Sequence, residues 1–359
     1  MVTAENRLLD HVRASVRSFV KDVQPQFQEM TWLELCRAGN RRFSPQSEFG
    51  NDQDEVRGFI GAVQGHETLV NIVGARILRG FDQEADTAAG LVRVEPIANY
   101  QETPLGIVTR APSLRRLARG TSAMATGITV QETGLRLAKF AAQFVIDEQD
   151  LLEGATLAID LAVVEEIGRA FRRALLDAIW ATLLSNPTLA DGVACFHANH
   201  ANTTTGALAA GTVQTAMGLL GGQTLTDHQD TQVPVHLNLR PTTLVVPPAM
   251  HGAALSVVNG WIASDVPIVR VVSESRISAT GCWNPLTESL VTGTNTNYLL
   301  LASASQRAGV VVGALEGRLQ PRFSSWELSH GEWGMGFAAD ASFNVAIVDH
   351  RPLVFSTGV

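Results

Sequence analysis

Hydrophobic positions recur at helical spacing in several stretches of the chain, and the longest stretch covers residues 155–184. Asn186-Pro187 ends this helix, because a residue that precedes proline is driven out of the helical region. At ~1.5 Å per residue the predicted helix is a rod of about 45 Å, which is long for a globular domain. Shorter amphipathic helices are predicted at residues 3–22 and 66–81. The apolar face of the long helix comprises Leu157, Leu161, Val164, Phe171, Leu175, Ile179 and Leu183.

Residues 91–146 alternate between apolar and polar side chains around a basic middle, which is typical of β-strands. We predict a long β-hairpin, or flap, in this part of the chain. An isolated two-stranded ribbon is only marginally stable in water, so the flap must lie on its own domain or on a neighbouring subunit. Its basic residues, expected to form ion pairs between subunits or a solvated edge, are Arg110, Arg115, Arg116 and Arg119.

The rest of the chain mixes short helices and short strands. A helix is predicted at residues 211–221, and another follows the two prolines after residue 246. Few strand–helix–strand alternations occur, so the sequence favours the α+β class over a parallel α/β fold. Strands are predicted at residues 242–246, 267–274, 297–302, 309–315 and 341–350.

Composition and charge exclude several classes of protein. The net charge of −8 argues against a dedicated nucleic-acid binder, whose basic surface would supply most of its affinity. No uncharged apolar run approaches the ~20 residues needed to span a bilayer, and the N-terminus lacks the apolar core of a signal peptide. Cys36, Cys195 and Cys282 are far apart in the chain, so reduced thiols in a cytoplasm are expected.

Residues 191–200, DGVACFHANH, contain the main candidates for chemistry. Cys195, His197 and His200 are of the types that bind zinc or take part in nucleophilic catalysis. A structural zinc site needs a fourth ligand, and a catalytic site needs an open position with a general base nearby. The nearest further histidines are His228 and His236. The alternative is that both histidines bind backbone groups in an irregular loop, and we favour that interpretation.

Other catalytic or cofactor-binding motifs are either absent or lack the secondary structure that they require. The chain has no G-x-S-x-G sequence, and a Cys–His pair requires a proximity that spacing alone does not establish. Residues 334–339, GMGFAA, match a dinucleotide-binding fingerprint but lead into a terminal strand instead of a helix. We therefore expect no enzyme, and no catalytic, cofactor-binding or metal-binding residues.

Five segments, in order along the chain, resemble the major capsid proteins of tailed bacteriophages with the HK97 fold. The resemblance is to the branch related to prohead protease–capsid fusion proteins. It spans roughly residues 69–355, and no single segment is specific by itself. The segments are LVNIVGARILRGF (69–81), FVIDEQDLLEG (144–154), LLSNPTLADGVACFHANHAN (183–202), LNLRPTTLVVPPAM (237–250) and ASFNVAIVDHRPLVF (341–355).

The resemblance implies four parts in an HK97-like subunit. They are a helical N-terminal arm at 1–90, an extended loop at 91–146, a peripheral domain at 147–211 and 319–359, and an axial domain at 212–318. The peripheral domain would contain the long spine helix at 155–184, and the run FHANH would be a structural loop. The residues before Leu69 are too few for a protease domain. With Met1 present, we expect no cleaved N-terminal propeptide.

The function implied is a major capsid protein that assembles, as pentamers and hexamers, into an icosahedral shell around phage double-stranded DNA. Assembly would take place in the host bacterial cytoplasm, with a portal and possible scaffolding and decoration proteins as partners and without a membrane. Two alternatives stay open. One is an encapsulin-type protein compartment of the same fold, and the other is a zinc-dependent hydrolase centred on Cys195, His197 and His200.

Some members of the resembled family join their subunits through lysine–asparagine isopeptide bonds. Lysine occurs in this chain only at Lys21 and Lys139, so we predict non-covalent association. Assembled particles boiled in detergent should run as a single monomer band on a denaturing gel. A ladder of multimers would contradict this prediction.

Overall fold

The computed structural model of the chain describes residues 63–111, 116, 129–147, 155–227, 233–262, 269–327 and 334–359. The predicted helix at 3–22 lies outside these residues, as do Arg115 and Arg119 of the basic cluster. None of the described helices is long and apolar enough to cross a membrane. The described helices are α1 (Val63–Gln83), α2 (Ala155–Leu184), α3 (Ala210–Gly221) and α4 (His251–Ile262).

Strands make up much of the remaining described chain, so the predicted α+β class is confirmed. They are β1 (Val92–Ile97), β2 (Thr103–Ala111), β3 (Thr129–Leu135), β4 (Ala138–Asp147), β5 (Thr203–Thr204), β6 (Thr224–Asp227), β7 (Pro234–His236), β8 (Pro241–Val246), β9 (Arg270–Ser273), β10 (Cys282–Asn284), β11 (Ser289–Val291), β12 (Tyr298–Ala302), β13 (Val310–Leu315), β14 (Arg322–Glu327), β15 (Gly334–Ile347) and β16 (Leu353–Ser356).

The long helix begins and ends where the hydrophobic pattern predicts. The side chains of Leu157 and Leu161 lie outside the description, and the other five members of the predicted face are buried. Helix α1 is longer than its predicted span of 66–81, and α3 is one residue longer than predicted. Periodicity therefore predicted the helices well, because each buries one continuous apolar stripe. The five buried residues are Val164, Phe171, Leu175, Ile179 and Leu183.

The chain forms two compact units. Unit 1 contains the described parts of Met1–Glu84, Phe140–Arg172 and Gln320–Ala341. Unit 2 contains the described parts of Ala85–Lys139, Arg173–Leu319 and Ser342–Val359. The division into arm, loop, peripheral domain and axial domain stays a prediction.

In unit 1, helix α1 lies directly against the first part of α2. The two backbones touch at a pair of glycines: a Cβ atom on Gly80 would lie 2.0 Å from the carbonyl oxygen of Glu165. A Cβ atom on Gly168 would lie 2.0 Å from the carbonyl oxygen of Ile77. Only glycine allows such an approach. The crossing is flanked by the Arg76 Nη1–Glu165 Oε1 ion pair at 2.6 Å.

The strands of unit 1 pack through three aromatic rings. Residues 335–340 of β15 pair antiparallel with β14. Phe337 is fully buried, with its ring centroid 5.3 Å from that of Phe144 and 5.7 Å from that of Phe323. Gly336 lies under Trp326, because a Cβ atom there would approach the indole ring to 2.2 Å. The G-x-G-x-x-A run is therefore part of a strand, and its second glycine makes room for tryptophan.

Unit 2 contains an apolar core of thirteen buried residues. Its main sheet has the strand order β5-β16-β12-β8-β9, and every residue of the central strand β12 is buried. Helices α3 and α4 pack on this sheet, so five of the six residues of β8 and all five residues of β12 are buried. The buried members are Val213, Ala216, Leu220, Leu239, Leu244, Val246, Ala254, Val258, Val269, Tyr298, Leu300, Ala302 and Val354.

The predicted flap contains a real β-hairpin, formed by β2 and β3. Its described base rests on its own unit, where Leu105 and Leu135 join Ile97 and Val311 in a second apolar cluster. The end of β2 also pairs in parallel with β6, giving the sheet order β3-β2-β6-β7. Strand β1 is not part of the ribbon, since it pairs in parallel with β13. The base of the ribbon is therefore supported by its own chain. Arg110 and Arg116 of the basic cluster are exposed.

The sequence analysis missed the strands β5, β6, β7, β10, β11, β14 and β16 and the first part of β15. Strand β15 begins at Gly334, seven residues before the predicted start of the closing strand, because glycines weaken the strand pattern. The hairpin of β10 and β11 has three residues in each strand, too few to show an alternation.

The glycine crossing of unit 1 gives a direct stability test. We predict that Gly80→Ala lowers the free energy of unfolding by about 2 kcal/mol or more, because the new methyl group would meet a helix backbone. Gly74→Ala is the matched control in the same helix. Its Cβ atom would make an ordinary 3.4 Å contact with Phe323, and alanine favours the helix. Urea unfolding measures both, and equal effects of the two substitutions would contradict the close crossing.

Candidate functional site

The Cys195–His200 segment belongs to an irregular loop in unit 2, between α2 and α3. Asn186 turns the chain at the end of α2 in the left-handed conformation, with φ of 48°. Its side chain accepts a hydrogen bond from the Phe196 amide at 2.7 Å and donates one to the Phe196 carbonyl at 3.1 Å. Asparagine suits this position because it tolerates left-handed backbone and can pair with a peptide group.

Asn202 is the buried centre of the loop, with 0% of its surface exposed. Its Nδ2 donates to the carbonyl of Cys195 at 2.9 Å and to that of His350 at 3.4 Å. Its Oδ1 accepts from the amide of His197 at 3.2 Å. One amide side chain therefore satisfies three backbone groups of a buried segment without regular secondary structure.

The structure does not bring Cys195, His197 and His200 together as one ligand set. His197 is exposed, and its Nδ1 accepts from the Asn199 amide at 3.1 Å. His200 is buried, with Nδ1 2.9 Å from the Cys195 carbonyl oxygen. Of the proposed fourth ligands, His228 lies outside the described residues and His236 is exposed on β7.

The Cys195 thiol is in the wrong environment for a nucleophile. Burial, together with the nearby carboxylates of Asp349 and Asp191, raises its pKa to about 12. Burial likewise raises the pKa of Cys282 to about 11. Both thiols stay protonated at neutral pH, whereas thiolate is the reactive form. Cysteine chemistry at this loop is therefore disfavoured, and both residues are free cysteines as expected.

A different group of titratable side chains does meet here. Nε2 of His200 lies 2.8 Å from Oδ2 of Asp191, and its ring stacks on His350 with centroids 3.7 Å apart. Burial, together with the charges of Arg351 and His200, lowers the pKa of His350 to about 4. Burial alone would raise the pKa of Asp191, but the Val193 amide, which donates to its carboxylate, and the neighbouring rings of His200 and His350 outweigh burial and lower that pKa.

The segment beside His350 is held by a buried carboxylate. Asp349 is 2% exposed and forms ion pairs with Arg307 and with Arg351, the latter at 3.1 Å. Arg351 also donates to the carbonyl of Thr224 at 3.0 Å, and Arg307 to that of Val108 at 2.8 Å. A buried charge without partners is costly, and the two arginines supply the compensating positive charge beside Asp349.

Sequence reasoning missed Asp191, His350 and Asn202. Asp191 and Asn202 lie within the segment that was singled out, yet their residue types are ordinary in loops. His350 is 150 positions from His200, and only the pairing of β16 with β5 and β12 brings the two rings together. No spacing rule in the sequence could have found that contact.

The surface of unit 2 carries two pairs of exposed apolar residues on ribbons. Trp283 and Leu290 are direct cross-strand partners in the β10–β11 hairpin and are 53% and 63% exposed. Val108 and Val130 are direct partners in the β2–β3 hairpin and are also exposed. Single exposed apolar residues are normal on a protein surface, whereas contiguous exposed apolar patches are typical of contact surfaces.

The structural role of the loop can be tested with two substitutions. Asn202→Ala should lower the free energy of unfolding by about 2 to 3 kcal/mol, because it leaves buried backbone groups without partners. His197→Ala should cost less than about 1 kcal/mol, because that ring is exposed and makes one local bond. Urea unfolding followed by tryptophan fluorescence measures both. Equal losses would mean that the loop does not depend on Asn202.

Comparison with solved structures finds shells of several kinds. The virus-like particle from Pyrococcus furiosus is 11% identical, with 80% of this chain and 99% of that chain covered and a TM-score of 0.48. The capsid of Cyanophage P-SCSP1u is 11% identical, with 76% and 88% covered and a TM-score of 0.47. The holo-SrpI encapsulin complex from Synechococcus elongatus is 10% identical, with 77% and 89% covered and a TM-score of 0.46.

All three TM-scores are below 0.5, so they carry no argument for function. The comparison with curated proteins finds no match. The family described as "Phage capsid protein" matches residues 129–355, which is more than half of the chain. This span includes helix α2, the Cys195–His200 loop and nearly all of the main sheet of unit 2. The chain therefore belongs to the phage capsid protein family.

Proposed function

We propose that the chain is a major capsid protein, the repeating subunit of an icosahedral phage head. The observation that carries the proposal is the family match over residues 129–355. The environment of the Cys195–His200 loop agrees with a structural role, because its polar groups bind the loop's own backbone.

The mechanism is geometric. Identical subunits make heterologous contacts that close into pentamers and hexamers, and these rings build the curved wall of the shell. The exposed apolar pairs Trp283–Leu290 and Val108–Val130 are positions at which a neighbouring copy would bury surface. Each contact contributes only about 25 cal/mol per Å² of apolar area. Many contacts per subunit then act together, so that no single contact needs to be strong.

The further partners follow from this role. The shell would enclose double-stranded DNA by confinement, since a chain with a net charge of −8 offers no overall basic surface for DNA. A portal would complete the particle, with scaffolding and decoration proteins as further candidate partners, and assembly would take place in the host bacterial cytoplasm. Within each subunit we propose the arm at 1–90, the extended loop at 91–146, the peripheral domain at 147–211 and 319–359, and the axial domain at 212–318.

Electron microscopy of the purified full chain tests the proposal. We expect shells, rings or tubes in negative stain, because the subunit contacts should form without other phage proteins at high concentration. Nucleic acid content of particles from infected cells separates a phage head, which contains DNA, from a compartment loaded with protein. A protein that stays monomeric at every concentration, with and without scaffolding protein, would refute the capsid assignment.

The β10–β11 hairpin gives a more local test. Leu290→Asp should reduce the yield of assembled particles by roughly tenfold or more, because a charge would be buried at the contact. The free energy of unfolding of the subunit should change by less than about 0.5 kcal/mol, since Leu290 is largely exposed there. Thr287→Asp, in the exposed turn of the same hairpin, is the matched control and should assemble normally. Normal assembly of the Leu290 variant would remove the hairpin from the proposed contacts.

A further inference from the structure

We propose that Asp191, His200 and His350 together bind one divalent transition-metal ion of the zinc class. Among the described residues these three form a group whose ligand atoms all lie within 4.8 Å of one another. All three belong to unit 2, two in the loop after α2 and one just before β16. Of the zinc ligands that the sequence suggests, Cys195, His197 and His200, only His200 belongs to this group. The inference does not depend on shell formation.

The hydrogen bonds of His200 present one ring nitrogen to the ion. Nδ1 lies 2.9 Å from the Cys195 carbonyl oxygen, an acceptor only, so Nδ1 carries the proton and donates it. Nε2 then faces Oδ2 of Asp191 at 2.8 Å. A lone pair and a carboxylate oxygen repel each other at this distance unless a proton or a metal cation lies between them. A backbone carbonyl that fixes the tautomer is the usual support of a metal-binding histidine.

His350 supplies the third ligand after a small rotation. Its ring is parallel to that of His200, with an interplanar angle of 5° and a centroid distance of 3.7 Å. One ion cannot lie in both ring planes while they are stacked, so His350 must turn about its Cβ–Cγ bond when the ion binds. The ring is only partly buried, which leaves room for this rotation.

The surroundings fit an ion that enters from solvent. The Asp191 side chain is 37% exposed, so it can move with the ion and leaves a coordination position open to water. The adjacent positive charge of Arg351 is balanced by Asp349 at 3.1 Å. Two imidazoles and one carboxylate favour zinc over magnesium or calcium, which prefer oxygen ligands. The bound ion would tie the loop to the last strand of the main sheet.

Metal binding to the full chain tests this assignment. Protein freed of metal with a chelator is titrated with zinc chloride by calorimetry, and with cobalt chloride followed by visible absorption. We expect one ion per chain, the absorption of a tetrahedral cobalt site, and a higher unfolding temperature with zinc. His350→Phe keeps an aromatic ring in the stack, and Asp191→Asn keeps the shape of the side chain. Both should weaken zinc binding by about tenfold or more.

Two control variants separate this site from other histidines. His236→Ala removes an exposed imidazole on β7, and His197→Ala removes the neighbouring histidine of the sequence-based set. Both should bind zinc with the affinity of the unaltered chain. Zinc binding that is absent, or equally strong in His350→Phe, or lost in His197→Ala, would overturn the assignment. Electron microscopy of the same variants reports assembly separately, so failure of the metal site and failure of the capsid proposal are distinguishable.

Discussion

The architecture around the Cys195–His200 loop depends on one constraint: a buried segment without regular secondary structure must find a partner for every backbone polar group. Asn186, Asn202 and His200 supply many of these partners through their side chains. Gln223 adds two more by donating to the carbonyls of His200 and Ala201 at 3.0 and 3.2 Å. Polar residue types that resemble a catalytic motif in the sequence are thus used to replace the hydrogen bonds of a sheet or helix.

Charged groups inside unit 2 follow the same rule. Glu274 and Asp349 are both almost fully buried, and each has arginine partners: Arg276 for the first, Arg307 and Arg351 for the second. Such ion pairs add little net stability compared with apolar packing, but losing one partner is costly. The Arg307–Asp349 pair joins segments that are 42 residues apart in the sequence, whereas the pairs of Arg276 with Glu274 and of Arg351 with Asp349 are local.

The surface of unit 2, unlike its interior, leaves pairs of apolar side chains exposed, and such pairs suit contact with another subunit. Apolar side chains that could have been buried in the core are instead paired across narrow ribbons, as in Trp283 and Leu290. A ribbon of two strands has one face on its own unit at most, so its other face stays available to a neighbour. The ribbon of β2 and β3 shows this arrangement: its base packs on Ile97 and Val311, while Val108 and Val130 near its end remain exposed.

Residue spacing alone determined the helices, the α+β class and the approximate positions of most strands. The apolar stripe of residues 155–184 predicts α2 because a helix of that length has to bury one face. Short or glycine-containing strands such as β10, β11 and the start of β15 carry too few periodic positions to be predicted. The resemblance of ordered segments to capsid proteins led to the family, which the match over residues 129–355 confirms.

Tertiary structure alone decided which polar residues meet. His350 reaches His200 and Asp191 only after strand pairing has closed a separation of 150 residues, and Gly80 meets Glu165 only where two helices cross. The spacing of apolar residues along a helix or strand shows which face of that element is buried, because each element buries its own apolar face. It does not record which elements become neighbours, since that depends on long-range packing to which every part of the chain contributes.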